Sequence, residues 1–133
     1  MKWLKRFGII IVLLPVIFIV ICGVYETFGM CINHLATKEQ TTTLQNNLQK
    51  EISDIEIVTV YSKTGNTSGT GNHVDCLSSI TFLTGLQKEE IENRMSKYYT
   101  LEEWDCYVDK TEEGTYMICI STSAPFVNNI EGH

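Results

Sequence analysis

An unbroken apolar run near the N-terminus constrains this chain more than any other feature. The run extends from Phe7 to about Val24 and contains no charged side chain. It matches the roughly 20 apolar residues that a helix needs to cross a bilayer. Because Lys2, Lys5 and Arg6 precede it, the positive-inside rule predicts a cytoplasmic N-terminus and an exported remainder. We therefore predict a single-pass protein of the cell membrane.

A cleaved signal peptide is the alternative interpretation of this segment. The apolar core is longer than the roughly 7 to 15 residues of a signal peptide, and no small-x-small cleavage site follows it, since Ala36 is the first alanine. A lipid anchor is not favoured either, because Ile21 precedes Cys22 and Met30 precedes Cys31. A lipoprotein signal has a small residue at that place. These observations favour an uncleaved anchor.

The remainder of the chain has room for one small domain. We divide the sequence into a basic cytoplasmic end (1–6), a transmembrane helix (7–25), a polar stalk (26–42) and an exported domain (43–133). The roughly 100 residues after the span suffice for one domain but not for two. Leu44, Leu48 and Ile52 recur every fourth residue and predict a first helix that begins near Thr43 as its N-cap.

The exported part is strongly acidic. From Ile32 onward it carries seven Lys and Arg against fifteen Asp and Glu, a net charge of about −8. This balance argues against nucleic acid and anionic lipid headgroups as partners, because both would be repelled. A basic peptide, a cationic protein or dissolved cations fit the charge better, although a surplus of acids is also typical of an ordinary solvated surface.

The order of the predicted elements indicates the fold class. They are a strand over Ile55–Lys63, a Gly-rich and Asn-rich loop over Thr64–Asn72, a strand over His73–Leu83, a helix over Leu86–Tyr99 and a hairpin over Glu103–Ser123 that turns at Thr111–Gly114. With the first helix this order predicts an α+β domain (αββαββ), in which a four-stranded, mainly antiparallel sheet carries two helices on one face. A free edge of such a sheet can accept an extended peptide.

Side-chain periodicity predicts the core. In the second strand the inward set is Val74, Cys76, Ser78, Ile80 and Phe82, and the outward set is His73, Asp75, Ser79 and Thr81. The later helix is expected to bury Ile91, Met95 and Tyr98. The third strand is expected to bury Trp104, Cys106 and Val108, and the tail to fold back through Phe126 and Ile130.

Two of the cysteines are candidates for a disulfide. A four-residue loop over Thr111–Gly114 would place Cys106 opposite Cys119, and a slip of one residue would abolish that pairing. An exported setting permits the bond. Reduced, buried thiols are the alternative, because a free Cys behaves as a small hydrophobe. With no C-x-x-C or H-x-x-x-H spacing, the sequence predicts no metal site, and no cofactor motif is present.

The segment from His73 to Cys76 places a base, a carboxylate and a nucleophile within four residues. Strand alternation directs Cys76 away from His73 and Asp75, so no local nucleophile-to-base hydrogen bond is expected. The glycine loop that precedes this segment lacks the lysine and the helix N-terminus of a phosphate cradle. It is expected to be a flexible hairpin loop or a mobile contact loop. We predict no catalytic residue.

No motif in this sequence names a reaction. We expect a membrane-anchored extracytoplasmic module that binds a protein or a basic peptide, as an accessory, sensor or interaction domain. The expected binding face is His73 and Asp75 together with the loop residues Gly69, Gly71 and Asn72. Two alternatives are an immunity-type protein that neutralises a cationic secreted toxin, and a small thiol-dependent or hydrolytic enzyme.

Overall fold

The computed structural model describes residues 2–69, 71–101 and 104–133, which form two α-helices, four strands and a short 3-10 helix. The elements are α1 (Lys2–Glu51), β1 (Glu56–Gly65), β2 (Asp75–Leu83), α2 (Lys88–Met95), β3 (Cys106–Lys110), β4 (Tyr116–Ser123) and the 3-10 helix (Ile130–Gly132). The prediction of an α+β fold with a four-stranded antiparallel sheet is confirmed. The predicted hairpin start at Glu103, Thr70 of the glycine loop and the side chains of Lys2 and Lys5 lie outside the described residues.

Helix α1 is continuous over 50 residues. The prediction that a helix begins at Thr43 is wrong, because that residue lies inside α1. Threonines normally weaken helices, but here their hydroxyls bond to carbonyls one turn earlier. Thr37 donates to Asn33 O at 3.1 Å and Thr41 donates to Thr37 O at 2.8 Å. Because such bonds do not themselves strengthen a helix, we attribute the continuation of α1 to tertiary contacts, in which Thr37 bonds to Thr64 and Thr41 to Ser78.

The N-terminal half of α1 is apolar and exposed. Among the described residues, α1 is the one helix that is long and apolar enough to cross a membrane. Its most apolar window has a mean hydropathy of 3.2, and none of that window is buried against the rest of the protein. Pro15 lies within it without ending it. An apolar surface of this size requires a covering, which a bilayer would supply.

The sheet order is β1-β2-β4-β3, and all three pairings are antiparallel. Strands β1 and β3 therefore form the edges. Gly65 pairs with Asp75, which in turn pairs with Ser123, so the ends of β1, β2 and β4 meet at one end of the sheet.

Both helices contribute to one core with the inward side chains of the sheet. All five predicted core residues of the second strand are buried. The main cluster contains Leu44, Leu48 and Ile52 of α1, Ile80 and Phe82 of β2, Ile91 and Met95 of α2, and Cys106, Val108, Tyr116, Ile118 and Ile120 of the second hairpin. Burial of each large side chain stabilises the fold by roughly 1.5 to 3 kcal/mol.

Several predicted orientations are wrong, each for a local reason. Trp104 is 86% exposed, because β3 begins only at Cys106 and Trp104 lies in the turn before it, outside the pleat of the strand. Tyr98 is 36% exposed, because α2 ends at Met95; its hydroxyl donates to Glu51 Oε1 at 2.7 Å. Ile130 of the tail is exposed as well.

The segment predicted as a polar stalk, 26–42, is helical and packs along the sheet. The Gln40 amide donates to Cys76 O at 2.9 Å and to Ser78 Oγ at 3.1 Å, and it accepts from the Thr122 hydroxyl at 2.5 Å. Thr41 shares a hydrogen bond of 2.7 Å with Ser78. These contacts fix the sheet to α1 close to the predicted span.

Candidate functional site

A polar cleft of about 690 Å³ opens where β2 and β4 meet at one end of the sheet. The residues that line it are Ser68, Asn72, His73, Asp75, Thr100, Asp105, Ser121, Thr122 and Ser123. Three of the predicted binding residues, His73, Asp75 and Asn72, therefore share one cavity. Gly69 and Gly71 lie in the adjoining loop but do not line the cleft.

Asp75 organises the glycine loop. We expected it on the exposed face, but it is only 5% exposed. Its Oδ2 accepts hydrogen bonds from the Thr67 backbone at 3.2 Å, the Thr67 hydroxyl at 3.2 Å and the Ser68 backbone at 3.1 Å. A buried carboxylate is stable only with such partners. The loop folds over the side chain and covers it, which strand alternation alone does not reveal.

Asn66 gives the same loop its shape, a role that the sequence analysis missed. Its Oδ1 accepts from Gly69 N at 2.8 Å, and its Nδ2 donates to Gly71 O at 2.6 Å and to Gly132 O at 3.2 Å. Gly69 and Gly71 have φ of 70° and 59°, a region that favours glycine. The Asn-Gly composition here builds a loop whose shape is held by side-chain hydrogen bonds.

His73 occupies the centre of the cleft wall. Its Nε2 lies 3.1 Å from Ser123 Oγ and also 3.1 Å from Asp75 Oδ1. In a Ser-His-Asp relay the hydroxyl and the carboxylate contact different ring nitrogens, because one accepts a proton while the other donates. A single nitrogen that faces both groups cannot do so. The arrangement binds and orients His73 but does not activate Ser123.

Gly132 allows the C-terminal tail to approach the backbone of His73. A Cβ at this position would lie 2.9 Å from His73 N and 3.0 Å from His73 C. Only a glycine can make this contact without displacing the backbone. The 3-10 helix thus packs against the backbone of His73, whose side chain lines the cleft, a role that no pattern in the sequence indicates.

The opposite wall of the cleft carries the acidic residue Asp105, which is exposed. Trp104 precedes it in the chain and is almost fully exposed, an uncommon state for so large an apolar side chain. In the sequence, Glu102 and Glu103 come just before this pair. An exposed tryptophan beside acidic groups provides a surface for a cation, because the face of the ring attracts positive charge.

The cysteines lie apart from one another. Lys110 pairs with Tyr116, so the loop between β3 and β4 has five residues rather than four. Cys106 consequently lies opposite Ile120, and Cys119 lies opposite Tyr107. The expected pairing of Cys106 with Cys119 is wrong by one residue, which places the two side chains on opposite faces. All five cysteines, which lie within the described residues, are free thiols.

Burial suppresses the reactivity of two thiols. It raises the pKa of Cys106 to about 11, with a smaller contribution from the nearby Cys119. Burial also raises the pKa of Cys119, against a hydrogen bond with Tyr107 that lowers it. Because the thiolate is the nucleophile, a raised pKa makes both sulfurs poor ones. Neither has the microenvironment of a catalytic cysteine.

No group of three or more His, Cys, Asp and Glu among the described residues could hold a metal ion. The chain matches no protein-family model, no curated protein and no solved structure. The chemistry of the site therefore has to be inferred from its own residues.

Proposed function

We propose that this protein is a membrane-anchored binding module whose exported domain holds a basic segment of another protein in the cleft beside Asp105. The observation that carries the proposal is the conjunction of an open polar cleft, an exposed carboxylate on its wall and the exposed Trp104 next to it. Tryptophan is among the residues enriched at the energetic centres of protein interfaces. A Lys or Arg side chain would pair with the carboxylate and pack on the ring.

The charge of the domain supports a cationic partner. The net charge of about −8 from Ile32 onward attracts basic proteins and raises their association rate. Within the cleft, the Asp75 carboxylate is already occupied by the loop and His73, so Asp105 remains for a ligand. The hydroxyls of Ser121 and Ser123 supply further polar contacts.

The position of the cleft supports an anchored role. Cys76, next to Asp75, lies against the carbonyl of Asn33, with 3.9 Å between Sγ and O. Asn33 is eight residues, or about 12 Å of helix, beyond the predicted end of the span. A ligand in the cleft would therefore be held close to the membrane surface.

Among the alternatives, an enzyme receives the least support. The His73 arrangement does not form a relay, and the pKa values of Cys106 and Cys119 are raised. An immunity-type role is the same proposal with a cationic toxin as the basic partner. A neighbouring gene for a secreted toxin, together with tight, salt-sensitive binding of its product, would distinguish it from a general interaction module.

The fluorescence of Trp104 reports binding in the test. The chain contains two tryptophans, so Trp3→Phe leaves Trp104 as the only one. We would titrate this full-length variant, in neutral detergent micelles, with a lysine-rich peptide and with a glutamate-rich peptide of equal length. The lysine-rich peptide should change Trp104 fluorescence saturably, and added salt should weaken its binding, because exposed ion pairs are screened.

Matched variants distinguish binding in the cleft from general electrostatic attraction to the acidic domain. Asp105→Asn should weaken binding of the lysine-rich peptide by about fivefold, since an exposed ion pair contributes up to about 1 kcal/mol. Glu112→Gln, an exposed acid in the turn between β3 and β4, removes the same charge and should leave binding within about twofold. The proposal fails if no saturable response occurs or if both variants weaken binding equally.

A further inference from the structure

We propose that the groove between α1 and the edge of β1 binds an extended, acidic segment of a partner protein by strand addition. Strand β1 is ten residues long and lies at the edge of the sheet, next to β2 only. The backbone groups on its outer side face no strand within the described part of the chain. Such an edge can accept a further strand through main-chain hydrogen bonds.

The middle of this edge, from Thr59 to Ser62, lacks the usual protection against pairing. Between Glu56 and Lys63 it contains neither a charged residue nor a proline. Val58, Val60 and Tyr61 are 53%, 44% and 50% exposed. The single irregularity lies near the start of the strand, between Ile57 and Thr59. Sheet proteins normally place charges, prolines or bulges along a free edge, so a long apolar edge indicates an occupant.

A groove of about 530 Å³ runs beside the later half of this edge. Its walls are His34, Thr37 and Lys38 from α1 and Ser62, Lys63 and Thr64 from β1. A strand added to β1 would thus lie against the helix as well as the sheet. Helix α1 would contact the side chains on one face of the added strand and so select among them, while the backbone of β1 would supply the hydrogen bonds.

The charges of the groove indicate what the added segment carries. Lys38 and Lys63 flank it from opposite sides, and neither contacts an acid among the described residues. The five other cations beyond the predicted span all have partners: Lys88, Arg94 and Lys97 contact carboxylates, and Lys50 and Lys110 lie over tyrosine rings. His34 is already held by Glu131 at 2.6 Å. On an otherwise acidic domain, two unpaired lysines in one groove fit a carboxylate.

The direction of β1 argues against a second copy as the occupant. Thr64, near the end of β1, contacts Thr37, whereas Ile57, near its start, packs on the cluster that includes Ile52. Strand β1 therefore runs antiparallel to α1, back toward the predicted span. An antiparallel pair of identical strands has its two-fold axis perpendicular to them. The second α1 would then point the opposite way, which one membrane cannot accommodate.

The α1–β1 groove is a second binding site, separate from the cleft of the proposed function. The cleft at Asp105 takes a basic ligand, whereas the α1–β1 groove takes an acidic one on another face. The two proposals can fail independently, because their probes have opposite charge and their variants share no residue.

The experiment measures backbone protection directly. The probe is a ten-residue peptide of alternating Thr and Val with three Glu residues at one end; a second peptide has Lys in place of Glu. Hydrogen exchange of the full-length protein in neutral detergent micelles would be followed with each peptide in excess. We expect the acidic peptide to slow exchange in Glu56–Gly65, and the basic peptide not to do so.

Two charge-reversal variants of equal net charge complete the test. Lys38→Glu with Lys63→Glu should weaken binding of the acidic peptide by about tenfold, whereas Lys50→Glu with Lys110→Glu should leave it within about twofold. Equal effects of the two variants, or no slowing of exchange in β1, would overturn the proposal. Slowing that rises with protein concentration in the absence of peptide would overturn it too, since a second copy would then occupy the edge.

Discussion

The side chain of Asn33 pairs with the backbone of Phe126 in both directions, although 93 residues separate them. Its Oδ1 accepts from Phe126 N at 2.9 Å and its Nδ2 donates to Phe126 O at 3.0 Å. The Phe126 ring also contacts the rings of Tyr25 and Phe28. The C-terminal tail is thereby fixed to α1 at and just beyond the end of the predicted span.

Loss of this pairing should destabilise the domain. Asn33 is fully buried, so Asn33→Ala leaves both backbone groups of Phe126 without their partner. We expect a decrease of about 2 to 3 kcal/mol in the free energy of unfolding, measured by denaturant titration in micelles. The control Thr42→Ala, at an exposed position of the same helix, should change it by less than about 0.5 kcal/mol. A decrease no larger than that of the control would contradict the assignment.

Trp104→Ala should leave the stability of the fold unchanged. Its side chain is 86% exposed, so we expect a change within about 0.5 kcal/mol in the free energy of unfolding. Ile118→Ala, in the core of the same hairpin, should decrease it by about 2 to 5 kcal/mol. If Trp104→Ala unfolded the protein, the tryptophan would have to lie in the core.

Gly132→Ala should disturb the cleft from behind. The added Cβ would lie 2.9 Å from His73 N, so one backbone segment must move, at a cost of about 1 to 3 kcal/mol. The imidazole signal of His73 in an NMR spectrum should shift accordingly. Gly23→Ala, where nothing lies within 4 Å, is the control and should leave that signal in place. An unchanged His73 signal in Gly132→Ala would refute the contact.

The three thiols of the predicted exported domain should react only after unfolding. With Cys22 and Cys31 replaced by serine, the remaining thiols are Cys76, Cys106 and Cys119. At pH 8 a thiol with the raised pKa of Cys106, about 11, is only about one part in a thousand thiolate. Burial also raises the pKa of Cys119, and Cys76 is only 2% exposed, so iodoacetamide should label none of the three quickly in the native protein and all three in denaturant. A fast native reaction, or fewer than three labels without reductant, would contradict this expectation.

Acid should lower the stability of the fold by protonating two carboxylates, those of Asp54 and Glu51. Hydrogen bonds from Gly85 N and the Thr84 hydroxyl lower the pKa of Asp54, and those from Lys97 and Tyr98 lower the pKa of Glu51. Because the folded pKa lies below the unfolded one for both groups, this stabilisation is complete above about pH 5 and is lost as the pH falls through the folded pKa. Thermal unfolding between pH 7 and pH 3 should show a falling Tm. Glu51→Gln with Asp54→Asn should flatten the acid part of that profile; an unaltered profile would exclude these two groups as its cause.

Side-chain periodicity predicted the sheet and most of its core. The alternation of β2 placed Val74, Cys76, Ser78, Ile80 and Phe82 correctly, because a pleated strand leaves each side chain only two directions. It failed at Trp104 and Tyr98, which lie beyond the ends of their elements. The residue at which a helix or strand ends depends on contacts with neighbouring elements, and side-chain periodicity carries no information about those contacts.

The site was only partly predictable. His73, Asp75 and Asn72 do line one cleft, since consecutive residues of a strand end necessarily lie close together. Asp105 and Gly132 join them from distant parts of the chain, and no local pattern places them there.

The sequence by itself determined the apolar length of the N-terminal helix, the α+β class and the acidic charge, because composition and period act locally and without reference to the fold. Only the tertiary structure decided that Asp75 is buried, that Cys106 lies opposite Ile120, and that the presumed stalk is a helix packed on the sheet. Each of these depends on a partner far away in the chain. A loop longer by one residue changes the register, and a hydrogen bond across the fold decides whether a polar side chain lies in water or in the core.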